Sequence, residues 1–225
     1  MRKKANLYIL RVLAQRVIGI LLFLFGAGWA LSVRSMTYFA MYLVFAVVAM
    51  ALVHSASPET LAARGRIATN SPVWDKVILG LYWILAYFAI YLIAGLEASA
   101  APSSAGWIFG VGIALQVLAF LLSLWAVRVN PFLESTSRVQ KDRCQSVCSC
   151  GPYSTIRHPT YAAILIWCVG VSMVFETKYT AITALVIAVI TVIRTALEDR
   201  MLIKDLLGYE DYAKQVRFRL IPYIW

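Results

Sequence analysis

Charge is what this 225-residue chain has least of: 14% of its residues are Asp, Glu, Lys or Arg, against about a quarter in an ordinary soluble domain. Acidic residues are the scarcer half, 11 against 21 Lys and Arg, and only two histidines (His54, His158), seven prolines and four cysteines are present. With 61% hydrophobic residues and a mean hydropathy of +0.75, the shortage of charge excludes a disordered chain. It also excludes an ordinary aqueous globule, because a chain this short cannot hide so much apolar surface in one core. Four cysteines, three of them gathered at Cys144, Cys148 and Cys150, do not make a secreted disulfide framework. G-x-G-x-x-G, Walker A, H-E-x-x-H and G-x-S-x-G are all missing, which removes soluble Rossmann-type methyltransferases and dehydrogenases. The solvent such a composition suits is a bilayer, and the expected fold class is an all-α integral membrane protein.

Uncharged apolar runs mark the expected spans: 17–31, 37–53, 77–96 and 105–127, followed by two shorter ones, 160–175 and 179–193. Only Glu176, Thr177 and Lys178 part the last two, so they predict a tight helical hairpin over 160–193, and about six transmembrane helices in all. Nineteen of the 21 Lys and Arg fall in residues 1–16, 54–76, 128–159 and 194–225; Arg34 and Lys178 alone lie in the remaining connections. The positive-inside bias therefore predicts a multi-pass protein with both termini, the 128–159 segment and the tail in the cytoplasm. The net charge of +10 comes without a basic stripe interleaved with aromatics, so membrane lipids, not nucleic acid, are the expected partners. The start Met-Arg-Lys-Lys before an apolar run resembles a signal peptide but lacks a small-x-small site, and no cleavage is expected. No lipidation signal is read at the closing Pro-Tyr-Ile-Trp.

Polar and turn-forming residues concentrate after residue 128, which divides the chain into four N-terminal spans (1–127) and a chemical core (128–225). Gly151-Pro152-Tyr153 is a turn signal, and in Arg157-His158-Pro159-Thr160-Tyr161 the proline suits the first turn of a helix. His158 then stands where free amides favour an anion. A helix cap with an interfacial tyrosine and a snorkelling arginine reads the same residues without chemistry. Arg194 and Glu198 are four apart and share a helix face, as a ligand-binding pair or as a plain ion pair. The C-x₃-C-x-C spacing of Cys144, Cys148 and Cys150 lacks the C-x₂-C pairs of zinc sites, so no metal is expected. His54 reads as an interfacial residue.

Taken together, the second half resembles the isoprenylcysteine carboxyl methyltransferase family of integral membrane enzymes. The matching pieces are Val139-Gln140, Gly151-Pro152-Tyr153, Arg157-His158-Pro159-Thr160-Tyr161, Arg194 with Glu198, Leu207 to Tyr212, and Arg219-Leu220-Ile221-Pro222, over about residues 120–225. The resemblance implies S-adenosylmethionine as cofactor in a cytoplasmic segment, held by Gln140, Gln145, Ser146, Val147, Cys148, Tyr153, His158, Pro159, Thr160, Tyr161 and Glu198. It implies Arg194 as the catalytic and substrate-binding residue facing a lipid-like or prenylated methyl acceptor. Gln145 stands where many members have histidine, and Cys148 and Cys150 replace small or apolar residues.

The chemistry suits these residue types. An acceptor carboxylate is ionised at neutral pH and needs no strong base, so placement and exclusion of water remain the enzyme's task. Arginine can grip such a carboxylate at two points. Two alternatives stand beside carboxyl O-methylation. One is N-methylation of a phospholipid or other amine, which needs a base and whose ammonium an arginine at the acceptor position would repel. The other is a non-enzymatic scaffold or transporter subunit, which would place ionisable residues near mid-membrane.

Overall fold

In the computed structural model, residues 2–56, 71–102 and 104–225 are described. Long apolar stretches with few breakers wind into α1 (Arg2–Gly26), α2 (Val33–Ala56), α3 (Val73–Leu96), α4 (Trp107–Val129), α5 (Pro159–Phe175) and α6 (Lys178–Asp205). The short α7 (Tyr209–Gln215) follows, and no strand occurs among the described residues. Five helices contain a stretch long and apolar enough to cross a bilayer: Asn6–Gly26, Val33–His54, Val73–Leu96, Trp107–Val129 and Lys178–Asp205. α5 has 17 residues, about 25 Å at 1.5 Å per residue, short of a hydrocarbon core of about 30 Å. The all-α membrane class is as expected. α5 and α6 form the expected hairpin, turned by Glu176 in the left-handed region at φ 51°.

Three expected boundaries need correction. The apolar pattern places the start of the first span at Val17, but the helix begins far earlier, and its membrane-length stretch contains Arg11 and Arg16. These cations do not interrupt it because aromatic faces solvate them: Arg11 lies 4.8 Å over the Trp83 ring and Arg16 lies 4.0 Å over that of Tyr42. The same span was carried to Leu31, whereas α1 stops at Gly26 and turns through Gly28 and Trp29, both at positive φ. The last span was read as ending at Ile193, yet α6 runs unbroken to Asp205. Arg194 sits inside it because its charge is paired there.

Close backbone approach sets the packing. A Cβ on Gly112 of α4 would stand 2.9 Å from the Val174 nitrogen of α5, so these two helices meet main chain to main chain. Phe23, Tyr38, Phe39, Tyr42, Tyr91 and Phe175 form an aromatic cluster tying α1, α2, α3 and α5 together. At the α5–α6 turn, buried Arg34 donates to the Val174 carbonyl from Nε and Nη2 (3.2 and 2.6 Å) and to the Ser104 carbonyl from Nη1 (2.9 Å), and it pairs with Glu176. The Glu97 carboxylate accepts the backbone N–H groups of Tyr179 and Thr180 at 2.9 and 2.8 Å. Orphan carbonyls ending α5 and orphan amides starting α6 are thus satisfied from the first half of the chain.

Arg34→Ala should lower unfolding stability by about 3 kcal/mol, the scale of an uncompensated buried partner. Denaturant unfolding in micelles measures it, and a loss below about 1 kcal/mol would show that the turn closes without this cation.

Candidate active site

The end opposite that turn opens into a cavity of about 420 Å³, walled by all six long helices, by α7 and by the segment joining α4 to α5. Of the residues singled out from sequence, Gln140, Gln145, Ser146, Val147, Cys148 and Tyr153 reach its wall from that segment. His158, Thr160, Tyr161, Arg194 and Glu198 reach it from the hairpin. Pro159 does not. It occupies the first position of α5, buried, where its fixed φ starts the helix and its missing N–H goes unneeded.

Arg194 is not paired with Glu198, the ion pair considered from the spacing. Its Nε and Nη2 lie 2.9 and 2.8 Å from Oδ1 of Asp75, a fully buried carboxylate in the first turn of α3. Nη2 also donates to the Ser135 carbonyl at 2.7 Å, while Nη1 has no hydrogen-bond partner among the described residues. The guanidinium carbon stands 5.4 Å from the centre of the Tyr161 ring. Glu198 instead accepts hydrogen bonds from the hydroxyls of Tyr161, at 2.6 Å, and Ser137. The Ser137 backbone N–H donates in turn to Asp75 Oδ2 at 2.8 Å. Arg194, Asp75, Ser137, Glu198 and Tyr161 are therefore one connected polar group.

Beside it lies a second group that the sequence reading missed. Asp199, fully buried, receives Arg157 in two-point fashion (2.8 Å twice), Arg219 Nε at 2.7 Å, His158 Nε2 at 3.0 Å and the Tyr209 hydroxyl at 3.1 Å. Arg157 also donates from Nη1 to the Val216 and Arg217 carbonyls, and the backbone amides of Arg157 and His158 bond to Phe218 and Arg219. These contacts fasten the tail to the start of α5. His158 Nδ1 stands 3.9 Å from Glu198, so the imidazole bridges the two groups. Burial opposes the Arg157 charge, but its bonds to Asp199 hold its pKa above the ordinary value. Burial first, then the charge on Asp199, raises that of Tyr209. Both stay protonated across the physiological range.

The segment before the Gly-Pro turn is ordered from within. The Gln145 side-chain oxygen accepts the Gln140 N–H at 2.7 Å, and the Gln140 side chain is spent on the Phe132 carbonyl and on Arg143. Gln140 is largely spent on shaping the wall, whereas Gln145 uses only its side-chain oxygen for it among the described residues. Cys148 Sγ lies 3.6 Å from Cys150 Sγ; burial pushes the Cys148 thiol up to about 11, leaving it neutral. Among the described residues, no group of three or more His, Cys, Asp or Glu side chains is placed to hold a metal ion. Gly208 takes φ 80° in the turn before α7, which returns Tyr209 and Tyr212 to the cavity. The Tyr212 hydroxyl donates to the Tyr153 carbonyl at 2.6 Å.

The fold is similar to that of an intramembrane methyltransferase. The structure of a eukaryotic intramembrane Ras methyltransferase, an isoprenylcysteine carboxyl methyltransferase, superimposes with a TM-score of 0.53 at 18% identity, over 92% of this chain and 73% of that one. Residues 107–206, from α4 into the turn after α6, match the phospholipid methyltransferase family. No curated protein matches the sequence. The two findings together support the resemblance read from the second half, and with it a membrane methyltransferase.

Asp199→Asn should destabilise the protein by about 3–5 kcal/mol, because two arginines lose their buried counter-charge together. Thermal unfolding against wild type tests this; a near-neutral variant would mean that the tail carbonyls alone hold Arg157.

Proposed function

We propose that the protein is a membrane-embedded S-adenosylmethionine-dependent methyltransferase that esterifies the carboxylate of an isoprenylcysteine-like or other lipid-like acceptor. The observation that carries this reading is Arg194: it is fixed on one edge by Asp75 and Ser135, its Nη1 has no partner among the described residues, and it lines the cavity that the Gln145–Cys148 segment also lines. The positively charged segments put both termini and the cofactor side in the cytoplasm.

The residues present fit the cofactor. Glu198 offers an acceptor for amino or hydroxyl donors, the faces of Tyr153, Tyr161 and Tyr212 suit a sulfonium, and Val147 and Leu206 offer apolar wall. When bound, the cofactor supplies a transferable methyl on sulfur. Arg194 would orient the acceptor carboxylate through its unpaired Nη1, with Asp75 preventing the guanidinium from swinging away. Tyr161 shields the same guanidinium face and ties acceptor side to cofactor side through Glu198. The helices around the cavity exclude water, which would otherwise hydrate the carboxylate oxygen that must attack.

One observation favours a second reading, N-methylation of a lipid amine. Asp75 neutralises Arg194, so the repulsion of an ammonium expected from a bare arginine is reduced, and Glu198 one turn away is placed to take a proton.

Purified protein with labelled S-adenosylmethionine should methylate farnesylcysteine analogues and leave phosphatidylethanolamine unchanged; the reverse pattern selects the amine reading, and transfer to neither removes both. Arg194→Lys should keep cofactor affinity while turnover falls about 10²-fold, since an ammonium cannot hold Asp75 and an acceptor together in one plane. A fully active lysine variant would leave Arg194 as scaffold. His158→Ala and Glu198→Ala should each weaken cofactor binding by about 1–3 kcal/mol in a calorimetric titration.

A further inference from the structure

The cavity does not end at the reacting groups. It continues between α1, α2, α3 and α4 to Arg16, Tyr38, Tyr42 and Gln116. Arg16 stands at the middle of the Asn6–Gly26 stretch, about 15 Å along the helix from either end, and hence near mid-bilayer. Tyr42 and Tyr87 present ring faces to its guanidinium at 4.0 and 5.3 Å. No carboxylate pairs with it among the described residues. Its Nε is buried without a hydrogen-bond partner, and so is the hydroxyl of Tyr42. A guanidinium at mid-membrane depth carries five N–H donors, and the one neutral Tyr42 hydroxyl beside it can answer at most two of them, so the cation calls for a further oxygen. The Tyr38 hydroxyl shares its hydrogen bond with that of Tyr91 at 3.0 Å and makes none to Arg16.

The two ends of the cavity are matched in kind. Tyr161, Ile164 and Trp167 line it on successive turns of α5, so the deep end lies about 9 Å along the helix from the acceptor end. The wall between is largely apolar, with Leu79, Ala86 and Ala163. A ligand filling it is polar, then hydrocarbon, then polar again. We propose that Arg16 and Tyr42 form a second subsite that binds an oxygen acceptor, carboxylate or carbonyl, at the far end of the lipid-like molecule whose near end meets Arg194. This rests on the methyltransferase reading only for the near end. An acceptor with a plain hydrocarbon tail would leave the mid-membrane cation unanswered.

The test compares three probes with the same head: N-acetyl-S-decylcysteine, its analogue with a carboxylate at the far end of the chain, and one ending in a methyl ketone. Binding to the full-length protein in nanodiscs is measured for wild type, Arg16→Met and Tyr42→Phe; wild-type-to-variant ratios cancel differences in partitioning into lipid. Arg16→Met should weaken the tail carboxylate tenfold or more and the plain chain less than twofold. Tyr42→Phe, which keeps the ring against the cation, should weaken the tail carboxylate severalfold. A response shared by the ketone assigns the subsite to a carbonyl oxygen, and one confined to the carboxylate assigns it to an anion. The ligand-free Arg16→Met protein should melt no lower than wild type, because it removes from the bilayer a charge that ring faces answer without a counter-charge. Equal losses for all three probes, no losses, or a methionine variant that melts lower or fails to fold would each overturn the subsite, the last by making Arg16 structural. Methylation of the plain chain together with tail-carboxylate binding that does not depend on Arg16 would sink the subsite and keep the methyltransferase. Dependence on Arg16 without methyl transfer would do the opposite.

Discussion

The contact on which the rest depends is Arg194 against Asp75. A guanidinium within an apolar helix needs an answering group, and for Arg194 it is a carboxylate from the first turn of α3, 119 residues earlier in the chain. That pair fixes how α6 sits against α3. Through the Ser135 carbonyl and the Ser137 amide it also fixes where the connection from α4 must pass. Once that connection is held, Ser137 reaches Glu198, Glu198 reaches Tyr161, and the start of α5 is set in turn. The division near residue 128 suggested by composition is therefore crossed by the site's central interaction, and α1 to α3 supply cavity wall as well as packing.

Most of the architecture was legible because a bilayer leaves few options. Long apolar runs must be helices, and their backbone groups must be satisfied within them. The hairpin and the residues gathered at the end away from its turn were legible from Pro159, the Gly-Pro turn and the spacing of Arg194 and Glu198. Two acids were not. Asp75 sits two residues inside an apolar helix, and nothing local says that its partner lies on α6; its signal was rarity, since only Glu59 precedes it among the acidic residues. Asp199 was hidden by its neighbour. Adjacent residues on a helix point about 100° apart, so Glu198 turns to the cavity while Asp199 turns inward to Arg157 and Arg219. Three cations in the matching pieces (Arg157, Arg194, Arg219) with only Glu198 assigned to them was the available clue. Arg11 and Arg16 were misplaced for a related reason: a charge was taken to end a span, whereas aromatic faces let the helix carry it.

The short helix explains where the site lies. α5 has 17 residues and α6 has 28, and they share the turn at Glu176 and Thr177, so about 16 Å of α6 extends past the first residue of its partner. His158 and Tyr161 accordingly meet Glu198 and Asp199, not the end of α6. The step left above α5 is roofed by residues 130–153 and by α7, whose tyrosines close it from the tail. A full-length α5 would fill this space, and the same polar residues would then lie in bulk water at the interface. Because α5 stops short, its first turn lies below the surrounding helix ends, with a polar roof on one side and the apolar cavity on the other. In the proposed reaction that is the arrangement needed: a water-soluble cofactor and a lipid-borne acceptor can meet only where a polar segment is lowered to the level of the hydrocarbon, and the eleven missing residues of α5 lower it there.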